Sequence, residues 1–286
     1  MTVENNSAVR VDPRRLIGEL VAERPARARL FERLHIDYCC GGQQTLAEAC
    51  TKTGAQLDTV QAALQALGES DAQADDGELT DWRAVETAQL CEHIVHVHHD
   101  CLRRTLPRID GLVDTVVRVH GAQDSTLADV QHTFDRIRSA LEPHLTSEET
   151  ELFPAIIAAE QGGPPVAEDI LAGHEYEHSQ VGAALVDLRG LCHDYDRGRA
   201  YCNTHRALLD ALEDLERDLH QHVHEENNVL FLRARRARLR AAGSRRAPAR
   251  LNPVKREPVI ERKQTLPACC QGWIAEQGHR WSVRHR

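Results

Sequence analysis

Aromatic residues are scarce in this sequence: Phe, Trp and Tyr together make up 4% of 286 positions, and methionine occurs once. With 41% hydrophobic residues, 28% charged residues and few Gly or Pro, the balance is that of a soluble, largely α-helical protein rather than a sheet-rich one. No window approaches the eighteen apolar residues that a membrane-spanning helix needs. The opening MTVENNSAVRVDPRR also lacks the apolar stretch of a secretory signal, so a cytoplasmic protein is expected. Nine cysteines are present, yet no CxxC pair occurs and the spacing is not that of a secreted disulfide framework. In a reducing compartment they are expected as thiols, a few of them functional. Acidic residues are nearly missing from one region only. Residues 233–286 carry fifteen Arg or Lys against three Asp or Glu, a net of +12, which leaves −21 of the overall −9 on the preceding residues. An acidic body is a poor nucleic-acid binder, and neither nucleic acid nor membrane is expected as a partner.

The length suffices for a sizeable core and more than one domain. Residues 10–67 form a small helical unit, with apolar residues at helical spacing in Leu16, Ile17, Leu20 and in Leu30, Phe31, Leu34. Within it HIDYCCGG, residues 35–42, reads as a turn. Thr45 is the expected N-cap of the next helix, with Glu48 completing a capping box, and a further short helix covers Val60–Leu67. Residues 68–80, polar and acidic without periodicity, read as a linker. Four long helices are then expected at about 81–106, 124–160, 166–195 and 200–240, with Pro107, GAQDST, QGGPP and DYDRGR as punctuation and Pro143 kinking the second. Four similar helices with short connections predict an antiparallel bundle.

The turn at 35–42 sets two cysteines against two glycines. Cys39 and Cys40 are adjacent, so a disulfide between them would be strained; the glycines permit positive φ and a close backbone approach, in a turn that presents the thiols. Packing of small residues in a tight turn is the competing reading.

An internal repeat carries the chemistry. HLTSEETELF at 144–153 and HVHEENNVLF at 222–231 share H-x3-E-x3-L-F, pairing His144 with His222, Glu148 with Glu226, Leu152 with Leu230 and Phe153 with Phe231. His99 precedes His144 by 45 residues and His178 precedes His222 by 44, so two helical hairpins each offer one His and then a His plus a Glu. The same residues fall on apolar stripes: Ile137, Leu141, His144, Glu148, Leu152 in the second helix; Leu171, His174, His178, Val181, Leu185, Leu188 in the third; Leu208, Leu212, Leu215, Leu219, His222, Glu226, Leu230 in the fourth. Buried imidazoles and carboxylates are costly unless paired or metal-bound. Four His and two Glu aimed inward are the ligand set of a dinuclear centre; non-haem iron is preferred over manganese or zinc, and a His–Glu hydrogen-bond network is the alternative.

These motifs resemble a known family. HIVHVHHD, HLTSEETELFP, EYEHSQ and HVHEENNVLF are similar to the ligand segments of hemerythrin-like bundles, in detail those of the di-iron repair of iron centres family, and HIDYCCGGQQTLAEAC resembles that family's N-terminal domain. The resemblance covers about residues 10–235. It implies an all-α fold, an antiparallel four-helix hemerythrin-like bundle at 81–235 with a small helical cysteine domain at 1–67; residues 236–286, outside the resemblance, read from their charge and few apolar residues as a basic, disordered tail. It makes His99, His144, His178 and His222 the imidazole ligands and Glu148 and Glu226 the bridging carboxylates of two oxo-bridged irons. The implied function is repair of iron–sulfur clusters damaged by oxidants or nitric oxide, with cluster proteins as clients, and weakly a homodimer. Cys39 and Cys40 would then be transfer thiols on a mobile domain. A di-iron nitric oxide or peroxide reductase, and a hemerythrin-like oxygen or nitric oxide sensor, are the rival readings.

Some residues depart from that pattern or stand outside it. His174, four before His178, is either a seventh ligand or a supporting histidine. His93, His96 and His98 read as solvated or supporting, and Cys50, Cys91, Cys101, Cys192 and Cys202 as packing residues. Leu232 stands where the family has Pro. The tail, with Cys269 and Cys270, is either a cationic extension for acidic partners or the shifted end of a gene.

Overall fold

The computed structural model describes residues 11–70 and 81–244. Among them are eight α-helical runs and no β-strand. The expected segment 71–80 of the linker and the tail from 245 onward, including Cys269 and Cys270, lie outside the described residues. The chain divides into two compact units, one holding residues 11–86 with Val223–Arg233, the other Thr87–His222 and resuming at Ala234.

In the first unit, α1 (Ile17–Glu23), α2 (Ala28–Arg33), α3 (Leu46–Thr53) and α4 (Leu57–Ser70) are short, and their stability comes from one shared apolar cluster rather than from helix length. Leu20, Phe31, Leu46 and Leu64 form its fully buried centre. The capping box is present: the Glu48 N–H donates to Thr45 Oγ1 at 3.2 Å and the Thr45 N–H to Glu48 Oε2 at 2.8 Å. Gly54, at φ 74, ends α3 in the left-handed conformation that glycine adopts without strain. Main-chain bonds from Ile17 to the Gln44 carbonyl and from Gly18 to the Gly42 carbonyl tie the start of α1 to the turn that precedes α3.

The second unit is the expected bundle: α5 over 87–120, α6 over 126–160, α7 (Glu168–Leu191) and α8 over 203–244, the last passing through the segment 223–233 of the first unit. Leu106, Ile109, Phe134, Ile137, Leu185, Leu188, Leu212 and Leu215, two from each helix, meet in one core. Pro107 does not end the first helix, which runs on to His120. Its ring is exposed, so the carbonyl it cannot bond faces water, while Leu106, Ile109, Val113 and Val116 keep the buried stripe going. Pro143 lies within α6 as expected.

A feature that periodicity did not reveal interrupts three helices. Ile94–His99 in α5, Glu148–Leu152 in α6 and Glu226–Leu230 in α8 are π-helical. In the latter two the N–H of Phe153 reaches the carbonyl of Glu148, and that of Phe231 the carbonyl of Glu226, five residues back in each case. Such wide turns concentrate at functional sites. Here the repeated motif places each Glu at the first residue of one.

Candidate metal centre

The stripes of the second unit bring the predicted residues together at one level of the bundle. His99 ends the π segment of α5, His144 and Glu148 come from α6, His178 from α7 and His222 from α8, and all five are buried, His99 and Glu148 completely. Their imidazoles form two facing pairs: His99 Nε2 and His222 Nε2 are 3.1 Å apart, His144 Nε2 and His178 Nε2 2.9 Å. Glu148 stands between the pairs, with Oε2 3.5 Å from His99 Nε2 and Oε1 3.3 Å from His144 Nε2 and 3.8 Å from His178 Nε2. In each pair the ligand atoms and a Glu148 oxygen lie within 4.8 Å of one another. Glu226, one turn beyond His222 on the same helix, is also fully buried.

Carboxylates at the rear of the rings orient two of these imidazoles. His99 Nδ1 lies 2.7 Å from Glu149 Oε1, and His144 Nδ1 lies 2.7 Å from Glu177 Oε2. A carboxylate only accepts, so Nδ1 is the donor in both rings and the lone pair sits on Nε2, aimed at the partner imidazole. Two nitrogen lone pairs at 2.9 and 3.1 Å either share a proton or coordinate one cation. That spacing fits neighbouring ligands of a single ion with metal–nitrogen bonds of about 2.1 Å. The donor chemistry therefore suits metal, with imidazole and carboxylate matching iron.

Further groups pack against the pairs. His98 is fully buried, bonded through Nδ1 to Asp218 Oδ1 at 2.9 Å, and stacked on the His222 ring at a centroid distance of 5.4 Å. Phe153 lies against His99 at 5.7 Å. Arg103 holds Glu149 at 2.8 Å. His174 comes within 3.5 Å of Glu148 Oε1, and its ring centroid is 5.1 Å from that of His144. The expectation of solvated or supporting roles for the crowded α5 histidines divides: His96 is exposed, whereas His93 and His98 are buried. Asp218, Glu149 and Glu177 were missed; their signal is sequence proximity to a ligand or a buried stripe, which is too common to single them out.

The cysteine turn belongs to the first unit and is organised by Asp37, whose Oδ1 accepts from the Cys39 N–H at 3.2 Å and the Cys40 N–H at 2.9 Å. Cys39 and Cys40 are free thiols with Sγ atoms 3.9 Å apart, and with Asp37 they form a small group of possible ligands. The hydrogen bond with Cys40, burial, and the charges of Cys40 and Asp37 push the Cys39 thiol well above its ordinary range, so Cys39 rests protonated. Neither Gly41 nor Gly42 adopts positive φ, contrary to one role expected for them. Close approach is their function instead: a Cβ at Gly41 would sit 2.6 Å from the Asp37 carbonyl oxygen, and one at Gly42 2.1 Å from Asn228 Oδ1. The Asn228 amide, on the helical segment of this unit, donates to the carbonyls of Cys39 at 2.9 Å and Tyr38 at 3.2 Å. Beside it His224 packs edge-on to Tyr38 at 5.5 Å, and burial lowers its pKa to about 4.

Among the other cysteines, Cys50, Cys91 and Cys192 are buried, as packing residues should be, whereas Cys101, also buried, is disulfide-bonded rather than the thiol expected of it. Cys202 is not: it is exposed before α8, with Sγ 3.3 Å from His120 Nε2, and the His205 N–H followed by His120 lowers its pKa.

Comparison with known proteins finds two family domains along the chain. Residues 14–68 match the model of a domain of unknown function, DUF542, and residues 92–234 match the hemerythrin HHE cation-binding domain. The chain is 34% identical over 220 residues to the iron–sulfur cluster repair protein YtfE of Pectobacterium carotovorum, covering 77% of this chain and 96% of the relative. It is 32% identical over 218 residues to proteins of the same name from Salmonella choleraesuis and Escherichia coli, in each case covering 76% of this chain and 95% of the relative. No helix among the described residues is long and apolar enough to cross a membrane.

Proposed function

The chain belongs to the iron–sulfur cluster repair family, and on that premise we propose that its bundle holds two non-haem irons and supplies iron to clusters damaged by oxidants or nitric oxide. His99 and His222 would serve one ion, His144 and His178 the other, with Glu148 and Glu226 as bridging carboxylates beside an oxo-type bridge. The observation that carries this reading is the position of Glu148, which offers one oxygen to each imidazole pair. Glu226 earns its place by register, since it repeats Glu148 in the second motif, lies one turn after His222 and is fully buried. Bound iron supplies redox and Lewis-acid chemistry at the site.

What the protein contributes is a dry set of oriented donors. Glu149 and Glu177 keep the Nδ1 protons on His99 and His144, so both rings present Nε2 inward. Hard anionic oxygen holds ferrous iron less tightly than ferric iron, and reduction therefore favours release of the cargo. Cys39 and Cys40, with Asp37, would take up iron as thiolates, and the raised Cys39 pKa means that uptake must expel a proton. The compartment we assign is the cytoplasm. The clients are proteins carrying iron–sulfur clusters.

Elemental analysis with an optical spectrum tests the metal content, and reactivation of a nitric-oxide-damaged cluster dehydratase tests the activity. About two irons per chain, oxo-bridge absorption and stoichiometric reactivation are the expected results. Catalytic turnover of nitric oxide or peroxide with an electron donor, without reactivation, would replace repair by a reductase function.

A further inference from the structure

Two successive residues of α5 hold the same imidazole. His99 meets the edge of His222, Nε2 to Nε2 at 3.1 Å, while His98 lies flat on its face, with ring planes 4° apart and centroids 5.4 Å apart. Adjacent residues of a regular α-helix point about 100° apart. The π turn at Ile94–His99 brings this pair closer in direction: the Asp100 N–H reaches back five residues to the Val95 carbonyl, and His98 and His99 are both fully buried. We infer that His98, anchored by Asp218, is a positioning residue that holds the His222 imidazole on line for its iron. This role rests on the di-iron reading above.

Three observations support it. First, the anchor is directional. Asp218 Oδ1 lies 2.9 Å from His98 Nδ1, and the two side chains are 3% and 0% exposed. A carboxylate only accepts, so Nδ1 donates, and the His98 ring cannot turn without breaking a buried, charge-assisted bond. Second, Asp218 stands one turn before His222 on α8, so this bond ties α5 to α8 beside the pair and fixes the surface on which His222 rests. His93 adds a further contact, packing edge-on against His98 at a centroid distance of 5.7 Å. Third, the stack does for His222 what a rear carboxylate does for its partner. Glu149 fixes His99 through Nδ1. Rotation of the His222 ring would drive its edge into the face of His98, so the offset stack keeps Nε2 pointing at His99. His93, His98, Asp218 and His222 all belong to the second unit.

The test follows anaerobic ferrous binding to the full chain against a competing chelator, so that each of the two ions has its own midpoint. Asp218→Leu removes the acceptor, His98→Ala removes the stacked ring, and Asp218→Asn keeps an oxygen for the His98 Nδ1–H. Asp218→Leu and His98→Ala should each weaken one ion by about tenfold or more, the scale on which groups behind a metal ligand act, and leave the other at its wild-type midpoint. Asp218→Asn should retain both ions. If His98→Ala fails to fold, read as loss of helical circular dichroism in the apoprotein, the two Asp218 variants decide. Wild-type midpoints for both ions in D218L would overturn the positioning role and leave the di-iron site standing. Equal weakening of both ions would overturn it too, by making His98 and Asp218 a general brace of the bundle. So would D218N binding as weakly as D218L, because the effect would then belong to charge rather than position. A wild-type chain that takes up no iron would remove the di-iron reading, and this role with it.

Discussion

The cysteine turn and the imidazole pairs bury polar groups in opposite ways. Three polar groups buried at the cysteine turn are neutral: the Asn228 amide donates to two carbonyls, His224 is held uncharged by its pKa of about 4, and Cys39 keeps its proton, although the same unit also buries the ionisable side chains of Arg27, Glu225 and Glu226. In the bundle a carboxylate and four imidazoles are packed together with almost no exposure. A neutral amide is satisfied by protein partners alone, at a net gain of about 1 kcal/mol per hydrogen bond. A buried carboxylate needs a positive charge, which facing imidazoles provide only by taking up protons, so a metal ion is the more economical partner. The amide contacts of the turn are therefore complete within the folded polypeptide, whereas the imidazole pairs and Glu148 would be completed by a bound cation.

The largest effect should come from breaking the charged side of this contrast. The double substitution Glu148→Leu with Glu226→Leu should lower iron from about two per chain to below one by elemental analysis. The apoprotein should melt no lower than the wild-type apoprotein, because replacing buried charge with apolar volume is often neutral or stabilising. Metal removal from the wild type sharpens the comparison: chelation should lower the thermal stability of the bundle by about 4 kcal/mol if iron was present at a thousand times its dissociation constant. The circular dichroism melt reads the shift, and the same treatment of the E148L/E226L variant should produce none.

The neutral side breaks by a different route. Asn228→Ala leaves the Tyr38 and Cys39 carbonyls without their donor and should cost about 1–3 kcal/mol, read as a lower denaturant midpoint with iron content unchanged. Gly42→Ala should cost a similar amount through the close contact with Asn228, and the two changes together should cost less than their sum, because each removes the same interlock. The smallest effect concerns thiols away from both sites. Cys202 should be alkylated by iodoacetamide at neutral pH well before Cys192, whose pKa burial and the nearby Glu216 raise to about 12; peptide mass spectrometry distinguishes them.

Much of this organisation was legible because it rests on period and register. The stripes that placed His144, Glu148, His178, His222 and Glu226 among leucines follow from the geometry of a helix buried on one face, and every one of those residues is buried. The capping box at Thr45 and Glu48 was equally legible, being a local exchange of two hydrogen bonds. Pro107 was misread as a stop because the sequence does not show whether the orphaned carbonyl faces water. The π turns escaped because the H-x3-E-x3-L-F spacing, with His, Glu and Leu four apart, looks α-helical. Asn228 escaped for a third reason: its partners at Tyr38 and Cys39 are 190 and 189 residues away, and no local pattern records a contact of that range. The glycines at 41 and 42 hinted at a close approach, and only the fold identifies what approaches Gly42.

The π turns also constrain how this protein can change over generations. Each holds one residue more than an α turn would, and a helix rotates about 100° per residue. Deleting a residue between 148 and 152 would close the wide turn into a regular ladder of hydrogen bonds, with Phe153 and Ile156 still on the core face, and would change the backbone from which Glu148 is aimed inward. Loops such as 161–167 can gain or lose residues at the surface, whereas the turns that begin at Glu148 and Glu226 admit substitution but not insertion or deletion. Alignments of descendants should show gaps gathering in the connections and none inside these two short segments.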